Sequence, residues 1–178
     1  MSSKISDYVF NLRNRFSSKE KSDAERATSN YQEAKSIGIL FKIEDDEKHD
    51  SLNNFVKKLQ NEGKELMLLT YFERLDNSPY NFKYDFFSKK DITTLGKIKS
   101  RAVQKFIDTP FDYLYCITVN HFLPFDTILT KSNAKCRIGR YFPEQEDFYE
   151  LMLDLQEGEG VDHLIEQMLH YTKKLTKN

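Results

Sequence analysis

Asn120, His121 and Asp126 are the residues of this chain best placed to do chemistry. They follow Phe111 to Val119, an apolar and aromatic run that reads as a buried strand. In open parallel sheets, ligands gather beyond the carboxyl ends of the strands, near the point where the strand order reverses. A histidine there can bind a ligand or move a proton. The competing reading is an asparagine that caps the next helix and a packed histidine. The sequence favours that plainer reading, because it names no partner base or nucleophile.

Lys131, Lys135, Arg137 and Arg140, with Tyr141, form a short basic stretch further on. A guanidinium at a strand end can hold a phosphate or carboxylate through two hydrogen bonds. The alternative is a solvated strand edge kept from aggregating by charge. The expected ligand-binding set is therefore Asn120, His121, Asp126, Arg137 and Arg140, with no catalytic residue assigned.

His163, Glu166 and His170 share one helix face, and zinc accepts such ligands. No second ligand pair accompanies them, so an exposed polar face is expected and no metal. Cys116 and Cys136 lie within apolar runs, without a Cys-x-x-Cys spacing, and read as two buried free thiols in a reducing compartment. The six glycines make neither G-x-G-x-x-G nor G-x-x-x-x-G-K-[ST]. Gly158-Glu159-Gly160 precedes a helix, but its glutamate would repel a phosphate. No nucleotide cofactor is expected.

The elements that must position these residues follow from periodicity. Residues 36–43 and 64–72 are short apolar runs that read as buried strands. Between them Leu52, Phe55, Val56 and Leu59 form a helical stripe, opened by Asp50 or Ser51 and stopped by Gly63. Strand, helix, strand is the βαβ signature. Asn77-Ser78-Pro79 marks a turn, and Phe82 to Phe87 a short edge strand or packed loop. A helix over 97–108, a strand over 111–119, a helix over 122–133 with Pro124 in its first turn, strands over 135–139 and 148–155, and a closing helix from Val161 complete the pattern. The expected fold is α/β: one Rossmann-like three-layer domain with a mainly parallel sheet of about five strands. Ahead of it, Ile5, Tyr8, Val9, Leu12 and Phe16 give an amphipathic N-terminal helix, and residues 17–35 a polar linker or helix continuation. The expected division is 1–30 for this extension and 31–178 for the domain.

Several stretches carry a resemblance. Ser36-Ile37-Gly38-Ile39-Leu40-Phe41, Tyr84 to Asp91, Phe111-Asp112-Tyr113-Leu114 and Ala134 to Gly139 resemble an uncharacterised bacterial family of similar size. That likeness implies no activity or residue role. Residues 111–141, through Phe111 to Leu114 and Ala134 to Tyr141, are also similar to the N-terminal half of heptosyltransferase-like glycosyltransferases. This second likeness implies one of two Rossmann-like halves, in a family whose other half largely holds a sugar-nucleotide donor. Where that family has a Gly-Asp turn after its first strand, this chain has Lys42-Ile43-Glu44-Asp45.

Composition narrows the function. The 27 basic and 28 acidic residues nearly cancel, so the overall basic excess typical of nucleic-acid binding is missing. No apolar run approaches the roughly 20 residues that cross a bilayer, and residues 1–20 lack a secretory h-region. A soluble, cytoplasmic protein of bacterial type is expected. The favoured function is a non-catalytic α/β binding or interaction module, with a homodimer through the N-terminal helix as one form. The alternatives are binding or transfer of a phosphorylated or nucleotide-linked sugar at the strand ends, and attachment of residues 4–16 to a membrane surface.

Overall fold

The computed structural model describes residues 21–42, 46–73, 84–143 and 146–175. The N-terminal helix expected before residue 17, the turn at 77–79 and the segment 43–45 lie outside these residues. So do the dimer contact and membrane attachment expected of that helix.

Six parallel strands form one sheet. They are β1 (Ser36–Lys42), β2 (Glu65–Phe72), β3 (Asp85–Ser88), β4 (Tyr113–Ile117), β5 (Cys136–Arg140) and β6 (Leu151–Leu153). Their spatial order is β3-β2-β1-β4-β5-β6. About five strands were expected. The sixth comes from Asp85-Phe86-Phe87-Ser88, whose loose alternation left an edge strand and a packed loop equally open, and which pairs with Leu69 to Phe72. The C-terminal strand is shorter than 148–155, because residues 146–148 form a 3-10 turn instead.

Four helices cover the sheet: α1 (Asp46–Asn61), α2 (Arg101–Asp108), α3 (Leu123–Lys131) and α4 (Val161–Thr172). Alternation along the strands decides which face each one buries. Ile37, Ile39, Phe41, Tyr113, Tyr115 and Ile138 point to one face, where α1 and α4 pack through Phe55, Leu59, Leu164 and Met168. Leu40, Leu69, Leu114 and Cys116 point to the other, under Val103 and Phe106 of α2 and Phe125 and Ile128 of α3. The chain steps from β1 outward to β2, and from β4 outward the opposite way. A constant right-handed crossover then requires α1 and α3 on opposite faces, as observed.

Two boundaries moved for identifiable reasons. The helix expected from residue 97 starts at Arg101, because Ser100 caps it: its side chain accepts from the Val103 N–H. Residues 97–99 are instead tied back by the Lys99 N–H donating to the Asp91 carbonyl at 2.7 Å. Gly63 ends α1 at φ 75°, the left-handed conformation that suits a residue with no Cβ.

Residues 17–35 are expected to be a polar linker or a helix continuation; of these, the described residues 21–35 are a strap bound to the amino-terminal end of the sheet. The Ser22 and Ala27 N–H groups donate to the Thr130 and Lys135 carbonyls, and Arg26 donates to the carbonyls of Ser132 and Ala134. The Tyr113 hydroxyl donates to the Ser29 carbonyl. Tyr31 and Ala34 enter the core. Composition hid this because the strap is held by backbone hydrogen bonds rather than by large aliphatic side chains.

Candidate site at the carboxyl ends of the strands

β4 and the loop after it build the centre of the site. β4 ends at Ile117, and the Thr118 hydroxyl donates to the Asn120 carbonyl at 2.6 Å, folding the chain into a tight turn. α3 then starts at Leu123 with Pro124 in its first turn, where a missing N–H costs nothing. Its N-cap is Phe122 and not Asn120, and no side chain caps it. Asp126 points inward from the first turn of α3 and is buried, while His121 stands exposed on the loop. The two meet with Nε2 and Oδ2 2.9 Å apart. Burial raises the Asp126 carboxyl above the usual range, and the hydrogen bond with His121 works against that rise. An ionised Asp126 accepts from Nε2–H, which leaves the lone pair of a neutral His121 ring on Nδ1.

β5 brings the cation. Arg140, its last residue, donates through Nη1 to the Val119 carbonyl, and its Nε is buried without a hydrogen-bond partner. The guanidinium lies 5.2 Å above the Phe142 ring. Phe142 also faces the His121 ring, at 5.9 Å between centroids. Arg140 and His121 thus flank one aromatic ring. On the other side of the β4 loop, Lys42 at the end of β1 lies 5.1 Å over the Phe122 ring, which packs against Tyr71 at 4.6 Å and Phe125 at 5.0 Å.

Beneath this surface lies a second buried polar layer. The Tyr149 ring occupies the space a side chain at position 139 would need, and a Cβ there would collide with the ring. Glycine at 139 is what lets Tyr149 lie over β5. Tyr149 hydrogen-bonds the thiol of Cys116, and Asp126 is close enough to push both further from ionising. Burial raises Cys116 to about 12 and Cys136 likewise to about 12, so both thiols stay protonated and unreactive at neutral pH. Both are free and buried, as their apolar setting implied.

Of the five residues expected to line a site, three lie around the β4 loop and a fourth stands on it. His121, Asp126 and Arg140 gather around the β4 loop, and Asn120 stands exposed at its tip. Arg137 does not join them. It lies near the start of β5 on the α3 face, buried, and every nitrogen of its guanidinium is engaged. Nε and Nη2 form a forked pair with Glu150, at 3.0 and 2.6 Å, while Nη1 donates to the Leu129 carbonyl and Nη2 also to that of Asp147. The basic stretch is accordingly no patch. Lys135 meets Asp112 at the amino end of the strand while Arg140 sits at the carboxyl end. Lys42, Phe122 and Phe142 were missed. Each lies within two residues of a strand end or of His121, which was the signal available.

Among the described residues no three His, Cys, Asp or Glu side chains converge as a metal would need. His163 pairs with Glu159 rather than with Glu166 or His170. No described helix is long and apolar enough to cross a membrane. The sequence pattern of one protein family matches residues 10–175. The chain belongs to DUF6913, a family of unknown function. That match takes in the strap and every strand and helix described, so the site lies wholly inside the DUF6913 region. It brings no activity with it, glycosyl transfer included. No curated protein matches this DUF6913 chain.

Proposed function

We propose that this DUF6913 chain is a binding module for a small phosphorylated anion, held at the carboxyl ends of β4 and β5. Its strand order is that of Rossmann-like sheets, in which ligands sit beside the β1/β4 reversal. The observation that carries the reading is Arg140: a guanidinium at the carboxyl end of β5 that lies on the Phe142 ring, which the exposed His121 also faces, and that no carboxylate among the described residues pairs with. A guanidinium without a carboxylate partner can take an anion through charge-assisted hydrogen bonds from its Nη groups. The uncapped start of α3, next to His121, adds a favourable dipole. The flanking Phe122 and Phe142 rings suit a ligand with an organic body, such as a phosphorylated sugar.

Thermal unfolding with inorganic phosphate, a sugar 1-phosphate and a sugar nucleotide, against sulfate at equal ionic strength, tests this. A ligand at one hundred times its Kd adds about 2.7 kcal/mol to stability and raises Tm by several degrees. The rise should vanish in Arg140→Ala. A flat panel, or a rise that Arg140→Ala leaves intact, overturns the reading.

A further inference from the structure

His121 and His163 form a controlled comparison inside one chain. Both imidazoles are 38 % exposed, and both hold Nε2 against a carboxylate, 2.9 Å from Asp126 and 3.2 Å from Glu159. The carboxylates differ. That of Asp126 is 6 % exposed and that of Glu159 30 %. Water screens the Glu159 pair, whereas the Asp126 carboxylate acts through a poorly screened interior. A buried carboxylate behind an imidazole fixes its tautomer, orients the ring, and stabilises positive charge that develops on it. No hydrogen bond among the described residues engages Nδ1 of His121. Nδ1 is therefore the ring nitrogen left open on a half-exposed imidazole, and that imidazole and the Arg140 guanidinium both lie against the Phe142 ring.

We infer that His121 is a phosphoryl-acceptor histidine, whose Nδ1 takes the phosphoryl group of a small phosphoramidate or acyl phosphate bound at Arg140. The inference rests on the anion site proposed above and names what that site does with its ligand. In the step, the Nδ1 lone pair forms a bond to phosphorus as the bond from phosphorus to the leaving group breaks. With phosphoramidate, the electron pair of the P–N bond leaves with ammonia. The ring becomes positive, and its Nε2 proton remains shared with the Asp126 carboxylate, which balances that charge. Arg140 holds the phosphoryl oxygens throughout. Glu159, in water, gives His163 no comparable support.

Incubation of the full chain with phosphoramidate, read by intact mass and by peptide mapping under conditions that preserve phosphohistidine, tests the assignment. The expected result is one added phosphoryl group, mapped to His121, absent in His121→Gln and unchanged in His163→Gln. Asp126→Asn should label at least about tenfold more slowly, the loss typical when a carboxylate behind a functional histidine is removed. No labelling in conditions that phosphorylate free histidine, or labelling spread equally over His121, His163 and His170, overturns the inference. A phosphate-induced rise in Tm without labelling would remove the acceptor role and leave the anion site standing. A missing rise would remove the site itself.

Discussion

Arg137 and Arg140 stand three residues apart on one strand and do opposite things. Arg137, near the amino end of β5, has every guanidinium nitrogen paired, two of them to Glu150. Arg140, at the carboxyl end, keeps a buried Nε with no partner. The contrast extends to both ends of the sheet. At the amino end Asp112 accepts from the Lys35 and Ser36 N–H groups and from Lys135, at 2.8, 3.1 and 2.8 Å. Burial pushes its carboxyl up, but those hydrogen bonds outweigh it and the net shift is downward. At the carboxyl end burial prevails, and Asp126 is raised. One end of the molecule is saturated and serves stability. Among the described residues at the other end, the Arg140 Nε stays without a partner.

Breaking the saturated end should cost most. Arg137→Ala leaves Glu150 with Arg26 and the residue-137 N–H but takes the donor from the Leu129 and Asp147 carbonyls and from Glu150, and losing hydrogen bonds to a charged group costs about 1.5–3 kcal/mol. Urea unfolding should show that loss. Arg140→Ala should cost less than about 1 kcal/mol, because one of its donors is already unsatisfied. Equal losses from the two variants would erase the distinction between the two ends.

Lys64 sharpens the amino end next. Its Nζ donates to the Tyr31 and Ala34 carbonyls at 2.6 and 2.7 Å and lies 4.4 Å over the Tyr31 ring. It is the clasp of the strap. Lys64→Met keeps the stem but leaves two carbonyls without this donor, for about 1–3 kcal/mol. Limited proteolysis should then cut within residues 21–34 before the rest of the domain. Cleavage no faster than in wild type would show that the strap is held elsewhere.

The smallest effects are in the pH dependence, where the two ends should differ in sign. Asp112 has a lowered pKa, so its contribution is present above the ordinary carboxyl value of about 3.9 and is lost as pH falls through its lowered one. Asp126 has a raised pKa. Its folded form favours the proton, so stability declines as pH rises from about 3.9 to the raised value and then levels. In urea midpoints taken across this range, Asp112→Asn should lose the acid-side fall. Asp126→Asn should lose the decline on the other side and be no less stable than wild type at neutral pH. Asp126→Asn destabilised at neutral pH would mean that the ionised carboxylate supports the fold, and that both ends are built alike.

Much of the architecture was legible. The runs at 36–42, 65–72 and 113–117 are dense in apolar side chains on both faces, a pattern only a parallel sheet covered on both sides requires. Asp85 to Ser88 was left open because an edge strand of four residues carries too little periodicity. His121 and Arg140 were visible as residue types near strand ends. Whether a cation there is spent on a carboxylate, as Arg137 is, depends on Glu150, which lies thirteen residues further along the chain.

By itself, then, the amino-acid sequence determined the long interior strands, the two-faced parallel sheet and the two buried thiols, because each follows from local periodicity and burial. Only the tertiary structure decided which polar groups are satisfied. That outcome depends on distances between groups brought together from separate elements: Asp126 behind His121, Glu150 on Arg137, the strap carbonyls on Lys64, and nothing on the Arg140 Nε.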